Sequence, residues 1–257
     1  MSSKKDKHYL NLALNLAKNM EGLTGTNPSV GSVLVKNDEV ISLASTGYNG
    51  TPHSEFSLLN KIDKKIKKDS SLYVTLEPCS HYGRTPPCTN IIIDKKISRL
   101  VFGAHDIDER SSKRAKQILK SKKIKVRNIN VLKINEFYKP YFFQRKYKQP
   151  YVVGKIACSK DLFIKSLKSK YISNKFTQTF SHYLRYKNQA ILVTYKTINE
   201  DNPSLDCRLP GLNEFSPVKV IIDKDLKVKK NANIFKIKNK KIIIFYNSGN
   251  KKKIKSL

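Results

Sequence analysis

The most specific stretch of this sequence reads P-C-S-H-Y-G-R-T-P-P-C at residues 78–88, and the tripeptide H-S-E at residues 53–55 precedes it. Together the two stretches supply one imidazole and two thiols that suit zinc: His53, Cys79 and Cys88. Three protein ligands leave the fourth tetrahedral position for water, which distinguishes a catalytic zinc site from a closed structural one. Glu55, two residues after the histidine, supplies a base that is not a ligand.

The local sequence predicts that these residues lie at the ends of secondary-structure elements. T-P at residues 51–52 predicts an N-cap and a first helical position, so that residues 53–55 fall in the first turn of a helix. A short apolar run at residues 72–76 predicts a strand that ends just before Cys79. Thr-Pro-Pro predicts the start of another helix over residues 88–95. Two helix N-termini, with their positive dipole ends, would then face the metal site.

A structural zinc site is the alternative interpretation of these ligands. It would need a fourth protein ligand, and His81 is the only nearby candidate in the sequence. The remaining cysteines and histidines have no partner pattern around them, and we interpret them as ordinary core or surface groups. These residues are Cys158, Cys207, His8, His105 and His182.

The order of histidine, glutamate, Pro-Cys and a further cysteine is that of the zinc nucleobase deaminases. Cytidine deaminases and tRNA adenosine deaminases usually have two residues between these cysteines, whereas this sequence has eight. The segment at residues 79–88, with T-L-E at 75–77 and N-P-S-V-G at 27–31, closely resembles another branch. It resembles the deaminase half of the bifunctional deaminase/reductase family of riboflavin biosynthesis.

This resemblance implies a cytidine-deaminase-like, three-layer α/β/α domain over residues 1–146 that binds Zn. It also implies hydrolytic deamination of a diamino-hydroxy-phosphoribosylamino-pyrimidine to the aminouracil phosphate and ammonia, with Glu55 relaying the proton. Four further positions match substrate contacts of the family: Asn27, His81, Arg84 and Asp106. The sequence departs from the family at three positions. Thr46 stands where histidine is usual, Ser54 where alanine is usual, and Ser32 where many members have cysteine or alanine.

Residues 150–257 resemble the reductase half of the same family, which implies an incomplete dihydrofolate-reductase-like α/β domain. Its predicted strands are at residues 151–157, 190–193, 218–223 and 241–246. The resemblance places Leu205 and Arg208 near the substrate of a reduction. It places Thr197 and Asp201 near the cofactor, NADPH.

Reductases of this family continue for about another hundred residues, a domain-sized piece that carries a Glu-Gly-Gly stretch for the cofactor phosphates. No Gly-rich phosphate loop follows residue 150 in this sequence. We therefore expect the reduction to be lost or incomplete. The alternative is a deaminase of another nucleobase in which residues 150–257 form a non-catalytic oligomerisation module.

Helix and strand patterns alternate before a break at residues 144–150, which argues for a sheet with helices on both faces. Helices are predicted over residues 7–20, from residue 53, and over residues 88–95, 111–122 and part of 130–148. Strands are predicted over residues 30–36, 40–46, 71–76, 99–103 and 124–129.

The chain of 257 residues carries 51 Lys and Arg against 20 Asp and Glu, a net charge of +31. Such a charge invites a nucleic-acid partner, but the lysines are scattered along every segment and no arginine-rich patch or aromatic ladder accompanies them. We interpret them as a generic basic surface that also attracts a phosphorylated substrate. The expected partner is a small phosphorylated pyrimidine, with no specific nucleic acid.

No run of about 18 apolar residues exists, so the sequence predicts no membrane span. The polar start at residues 1–6 leads at once into an amphipathic helix, which leaves no room for a cleavable signal peptide. Four cysteines, two of them assigned to zinc, argue for a reducing compartment. We expect a cytoplasmic homo-oligomer.

Overall fold

A five-stranded sheet forms the centre of the first of two units, Met1–Val153 and Gly154–Leu257. The computed structural model describes residues 3–62, 69–110, 114–164, 172–236 and 241–247. The sequence predicts domains over residues 1–146 and 150–257, and the division seen in the structure follows Val153.

The described helices of the first unit are α1 (Ser3–Asn19), α2 (Ser54–Asn60), α3 (Cys88–Asp94), α4 (Arg114–Ser121) and α5 (Leu132–Tyr147). Its described strands are β1 (Gly31–Lys36), β2 (Glu39–Ser45), β3 (Ser70–Leu76), β4 (Arg99–Ala104) and β5 (Lys125–Asn128). Each helix and strand predicted for this unit coincides with one of these elements. Residues 111–113, the predicted start of the fourth helix, lie outside the described residues.

The sheet has the strand order β2-β1-β3-β4-β5. The strand β1 is antiparallel to both β2 and β3, whereas β3, β4 and β5 run parallel. Every residue of β3 is buried, because this strand lies at the centre of the sheet and both faces are covered. Leu76 of β3 is paired with Ala104 of β4, so the loops after these strands leave the same edge of the sheet.

Alternating residues of the central strands divide between two hydrophobic cores. On one face, Val33 and Tyr73 pack with residues of α1 and α5, including Leu10 and Tyr138. On the other face, side chains of the strands pack with residues of α2, α3 and α4, and Leu58 belongs to this core. The helices therefore cover both faces of the sheet, which confirms the three-layer α/β/α arrangement.

Gly31 allows α1 to lie directly on the sheet. A Cβ atom at this position would be 1.9 Å from the carbonyl oxygen of Ala13 and 3.0 Å from the amide nitrogen of Ala17. Both are backbone atoms of a helix and cannot turn away as a side chain can. Any larger residue at this position therefore forces the helix off the sheet.

The second unit is smaller and has a parallel sheet of three described strands. Its elements are α6 (Lys175–Lys187), β6 (Ala190–Thr194), α7 (Tyr195–Asp201), β7 (Val218–Ile222) and β8 (Ile242–Phe245). A small core on one face of this sheet includes Ile198, Leu205, Ile221 and Val228. Buried Asp223, just after β7, accepts hydrogen bonds from the backbone of Lys227 at 2.8 Å and of Val228 at 2.7 Å, which fixes the turn that follows.

The strand predicted over residues 151–157 is wrong. These residues have no regular secondary structure, and the side chains of Val152 and Ile156 are 81% and 75% exposed. Their β-branched composition favours a strand, but strand formation depends on a neighbouring strand more than on intrinsic preference. The predictions at residues 190–193, 218–223 and 241–246 are confirmed by β6, β7 and β8.

A buried ion cluster holds α1 against the sheet of the first unit. The Asp6 carboxylate is fully buried and accepts hydrogen bonds from Arg99 at 2.6 and 2.9 Å and from Tyr73 at 2.9 Å. Arg127 lies 3.3 Å from the same carboxylate. Burial alone would raise the pKa of Asp6, but these donors outweigh burial and hold the pKa below its usual value.

We predict that Asp6→Asn lowers the free energy of unfolding by about 3 kcal/mol, because it removes one partner of a largely buried ion pair. The contribution of Asp6 is complete above its unfolded-state pKa of about 3.9 and is lost as the pH falls through the lower folded-state pKa. The difference between wild type and variant should therefore shrink below about pH 4. Denaturant titrations followed by far-UV circular dichroism, at neutral and at acidic pH, measure this difference.

The control is Asp38→Asn. Asp38 forms an ion pair with Lys5 at 2.6 Å, but both side chains are about half exposed, at 49% and 53%. Water screens this pair, so its loss should destabilise the protein far less than the loss of Asp6 does. Equal losses in the two variants would contradict the explanation by burial.

Candidate metal centre

His53 lies at the N-cap of α2. Its backbone is extended (φ −64°, ψ 152°), and its carbonyl oxygen accepts a hydrogen bond from the amide of Ser57 at 2.9 Å. The helix begins at Ser54, so the prediction that residues 51–52 start the helix is wrong by about one half turn. The cap conformation is the usual one for the residue before the first helical turn.

The two cysteines lie at the end of β3 and at the start of α3, as the sequence predicts. Cys79 follows β3 after two residues, and Cys88 is the first residue of α3. The amide of Cys88 donates to Cys79 Sγ at 3.2 Å, and the amide of Thr89 donates to the Cys79 carbonyl oxygen at 3.2 Å. The first turn of α3 therefore directs one amide at the sulfur of Cys79 and the next at its carbonyl oxygen.

The three predicted ligands converge. His53 Nδ1 lies 3.5 Å from Cys79 Sγ and 3.3 Å from Cys88 Sγ, and all three ligand atoms lie within 4.8 Å of one another. With usual Zn–N and Zn–S bond lengths, a tetrahedral site separates nitrogen and sulfur ligands by about 3.6 Å. The observed distances therefore fit zinc, and the ligand set is the one that zinc prefers.

The protonation of the thiols also suits a cation. Hydrogen bonds from the Cys88 thiol and from His53 outweigh burial and lower the pKa of Cys79, which favours its thiolate form. The hydrogen bond to this thiolate, together with burial, raises the pKa of Cys88. The hydrogen bond to Cys79 raises the pKa of His53. A divalent cation among the three groups would stabilise the second thiolate as well.

Glu55 is buried beside these ligands, with 3% of its surface exposed. Burial raises the pKa of its carboxyl group, although the positive charge of His53 opposes this rise. Ser54 Oγ donates a hydrogen bond to Glu55 Oε2 at 3.0 Å. A buried carboxyl group at a ligand cluster is the arrangement expected of a proton-transferring residue.

Asn27 is held at the entrance to α2 by a close backbone contact. Its Nδ2 donates to the Gly50 carbonyl oxygen at 3.1 Å. Gly50 has a positive φ of 83°, and a Cβ atom there would lie 2.6 Å from the Asn27 side chain. Only glycine therefore fits at residue 50 without displacing Asn27. Thr46, which stands where the family usually has histidine, is buried and bonded to the backbone of Val30.

Asp106 lies just beyond β4, at the sheet edge from which Cys79 also leaves. It is 7% exposed and accepts hydrogen bonds from Tyr141 Oη at 3.1 Å and from the amide of Asp108 at 3.1 Å. Burial raises the pKa of Asp106 despite these bonds.

The other two predicted substrate contacts, His81 and Arg84, lie on the loop between the two cysteines. His81 is half-buried, whereas Arg84 is exposed. The loop is closed by a hydrogen bond from the Gly83 amide to the Thr85 carbonyl oxygen at 3.2 Å. Arg84 therefore presents a positive charge to solvent on the segment between Cys79 and Cys88.

Sequence reasoning missed two groups that connect this edge of the sheet. The first is His105, interpreted from the sequence as an ordinary residue. Its Nδ1 lies 2.9 Å from Oε2 of the buried Glu77, and this contact joins the loop that leads to Cys79 to the loop that leads to Asp106. Tyr138 Oη donates to the Ser29 carbonyl oxygen at 2.8 Å. The proximity of residues 77 and 105 follows from the pairing of β3 with β4, which the order of elements alone does not specify.

The residues predicted to contact reductase ligands all lie in the second unit. Thr197 and Asp201 are one helical turn apart on α7, with Thr197 half-buried and Asp201 exposed. The side chain of Leu205 is 6% exposed and packs in the small core. Arg208 is exposed, and its backbone amide donates to His182 Nδ1 at 3.2 Å.

Comparison with known proteins agrees with this site. Residues 3–104 match the family model of the cytidine and deoxycytidylate deaminase zinc-binding region, and residues 150–257 match that of the RibD C-terminal domain. The riboflavin biosynthesis protein RibD of Aquifex aeolicus is 35% identical over 254 residues, which cover 96% of this chain and 70% of that protein. The chain belongs to the RibD family.

A second member of the RibD family, from Bacillus amyloliquefaciens, is 34% identical over 232 residues. These residues cover 89% of this chain and 62% of that protein. The chain therefore spans between 62% and 70% of the length of these two relatives.

Solved RibD structures share the fold. A deaminase/reductase of Thermotoga maritima has a TM-score of 0.83 at 31% identity, covering 95% of this chain and 70% of that one. RibD of Acinetobacter baumannii has a TM-score of 0.84 at 26% identity, covering 98% of this chain and 72% of that one. The RibD fold is a cytidine-deaminase-like domain followed by a dihydrofolate-reductase-like C-terminal domain, as the sequence predicts. Within the described residues, no helix is both long enough and apolar enough to cross a bilayer.

We predict that the purified protein carries about one zinc per chain and that Cys88→Ser abolishes tight binding, because two protein ligands do not retain the metal. Elemental analysis after dialysis against a weak chelator measures the zinc content. The matched control is Cys158→Ser, since Cys158 is an exposed free thiol in the second unit. Loss of zinc in the control, or full retention in Cys88→Ser, would contradict the assignment.

Proposed function

We propose that this chain is a zinc-dependent hydrolase that deaminates a phosphoribosylamino-pyrimidine in riboflavin biosynthesis. One observation carries the proposal: His53, Cys79 and Cys88 converge within 4.8 Å next to the buried Glu55. The choice of substrate is supported by family membership. The similar protein of Thermotoga maritima is a diaminohydroxyphosphoribosylaminopyrimidine deaminase/5-amino-6-(5-phosphoribosylamino)uracil reductase.

The three ligands would hold zinc with one coordination position open to solvent or substrate. Zinc in such a site supplies a Lewis acid that makes water nucleophilic near neutral pH. The chain contributes Cys79, whose pKa is lowered by the hydrogen bonds from Cys88 and His53, and the amide of Cys88, which donates to that sulfur. His53 is directed at the same point from the start of α2.

Glu55 would move the protons of the reaction. In the hydrolysis, water adds to the ring carbon that bears the amine, the adjacent ring nitrogen gains a proton, and ammonia leaves. The Glu55 carboxylate accepts one proton of water and passes it to the ring nitrogen. It then takes the proton of the added hydroxyl and passes it to the amine, so that ammonia leaves as the carbonyl forms. Burial raises the pKa of Glu55 above that of an ordinary carboxyl group, which is the direction that suits a group that both accepts and donates a proton.

The remaining predicted contacts would bind the rest of the substrate. We assign Asn27, whose amide is held by Gly50, to the pyrimidine ring. We assign Asp106 and His81 to polar groups of the substrate, and the exposed Arg84 to its phosphate. Guanidinium groups bind phosphate through paired hydrogen bonds, which suits a substrate that carries a phosphoribosyl group.

We predict that Glu55→Gln lowers kcat for ammonia release by roughly 100-fold or more, because glutamine cannot accept the proton of water. Its zinc content should remain that of the wild type, since Glu55 is not a ligand. The control is Glu136→Gln, an exposed glutamate on α5. Loss of zinc in Glu55→Gln would show instead that Glu55 is a ligand.

The same assay tests the substrate. The phosphoribosylamino-pyrimidine is compared with cytidine, deoxycytidylate and single-stranded DNA at equal concentration. Ammonia release from the phosphorylated pyrimidine alone is the expected result. Faster release from any of the other three would assign the site to another nucleobase.

The second unit resembles a reductase, but we propose that this chain does not complete the reduction. Hydride transfer from NADPH needs the nicotinamide held against the substrate, which depends on anchoring the phosphates of the cofactor. Glycine-rich loops or helix N-termini usually provide the backbone donors. After residue 150 the sequence has three glycines, all far apart: Gly154, Gly211 and Gly249.

We predict that this chain shows no NADPH oxidation above background when the deaminated product is added. The decrease in NADPH absorbance is followed with a full-length RibD protein as the positive control. NADPH turnover by the isolated chain, abolished by Asp201→Asn, would overturn the prediction and assign cofactor binding to α7.

A further inference from the structure

A chain of buried hydroxyl groups lies behind the base Glu55. Ser32 Oγ is 2.6 Å from Ser54 Oγ, and Ser54 Oγ is 3.0 Å from Glu55 Oε2. Ser32 and Ser54 have no exposed surface, and Glu55 has 3%. Ser32 belongs to β1 and Ser54 is the first residue of α2, so the chain links the base to the central sheet.

The direction of these hydrogen bonds follows from the groups involved. An ionised carboxylate only accepts hydrogen bonds, so the single hydroxyl proton of Ser54 is donated to Glu55. Ser54 Oγ must then accept from Ser32, whose proton points along the chain. While Glu55 is ionised, the proton of each hydroxyl therefore has a fixed direction, and Ser54 donates to the carboxylate at Oε2.

The helix does not need the hydroxyl of Ser54. The N-cap of α2 is His53, and its side chain caps no amide. Ser54 is therefore not an N-cap serine. Its hydroxyl bonds to Ser32 and Glu55 instead of to the backbone. Because a buried hydroxyl without partners costs free energy, the two serines also depend on each other.

The orientation of a glutamate carboxylate is weakly fixed by its own geometry. Its terminal torsion is broad, unlike the staggered torsions nearer the backbone. Proton transfer requires the carboxylate oxygen to stay within hydrogen-bond reach of both the water and the ring nitrogen. The bond from Ser54 to Oε2 restricts this torsion.

We propose that Ser54, itself held by Ser32, is a positioning residue that fixes the Glu55 carboxylate for proton transfer. The inference rests on the proposed deaminase function and deepens it. It assigns a role to two positions at which this sequence differs from the usual family residues. It also predicts that the effect of Ser54 passes through Glu55 and not through the zinc ligands.

The test compares Ser54→Ala, Ser32→Ala and the double alanine variant with wild type. We expect Ser54→Ala to lower kcat about 10-fold, because small misplacements of a catalytic group are costly, and to leave KM within about twofold. Ser32→Ala should lower kcat less, since the direct bond to Glu55 remains. The double variant should match Ser54→Ala in kcat, and zinc content should stay at the wild-type level in all three.

A variant cycle with Glu55 separates positioning from a structural role. In the Glu55→Gln background, adding Ser54→Ala should lower the residual rate no further. An equal 10-fold loss in both backgrounds, or an unchanged kcat in Ser54→Ala, would overturn the proposal. The structural control is Ser70→Ala, a buried serine at the opposite end of β3 that bonds the amide of Ser98 at 3.1 Å. It should change thermal stability without changing kcat.

If Ser54→Ala fails to fold, the double variant carries the test, because it leaves neither hydroxyl buried without a partner. Wild-type activity on the phosphorylated pyrimidine is measured first. Wild-type protein without activity would contradict the proposed function. Active wild-type protein together with an unchanged kcat in the serine variants would contradict only the positioning role.

Discussion

The parallel pairing of β3 with β4 is the constraint on which the candidate site depends. Leu76 opposite Ala104 sends both following loops from one edge of the sheet, and the Glu77–His105 contact joins them. One loop leads to Cys79 and the other to Asp106. Because β3 is buried on both faces, this edge cannot shift without opening both cores. The metal ligands and the proposed substrate contact therefore share one rigid support.

The part of the site formed by Asn27, His53 and Glu55 depends on close approaches between backbone segments. Gly31 lets α1 rest on the sheet, and Gly50 lets the chain pass within van der Waals contact of Asn27. The chain then enters α2 at His53, so the imidazole and the buried Glu55 leave the start of the same helix. His53 and Glu55 are two residues apart at this helix start, so their side chains approach the same point from different directions. The two glycines thus support the chemistry without touching it.

The sequence was sufficient to predict that His53, Cys79 and Cys88 converge, and to predict nearly every element of the first unit, because each carries a local signal. Period, proline position and the spacing of the cysteines are properties of short segments. It was insufficient for His105, whose contact with Glu77 follows from the pairing of β3 with β4, and for the Ser32–Ser54 pair, which depends on how α2 packs on the sheet. The strand predicted at residues 151–157 failed for the same reason, since β-branched residues form a strand only beside a partner strand.

The two units differ in the physical conditions that they offer to chemistry. In the first, helices on both faces bury Glu55, Cys88 and the hydroxyl groups of Ser32 and Ser54, and burial raises the pKa of Glu55. In the second, Leu192, Ile222 and Phe245 share one face of the sheet and are 60%, 45% and 61% exposed. The proposed deamination needs a few groups held in a dry site, and the first unit buries such a set. Reduction needs a large cofactor clamped along its length, whereas within the described residues this face of the second sheet is open to water.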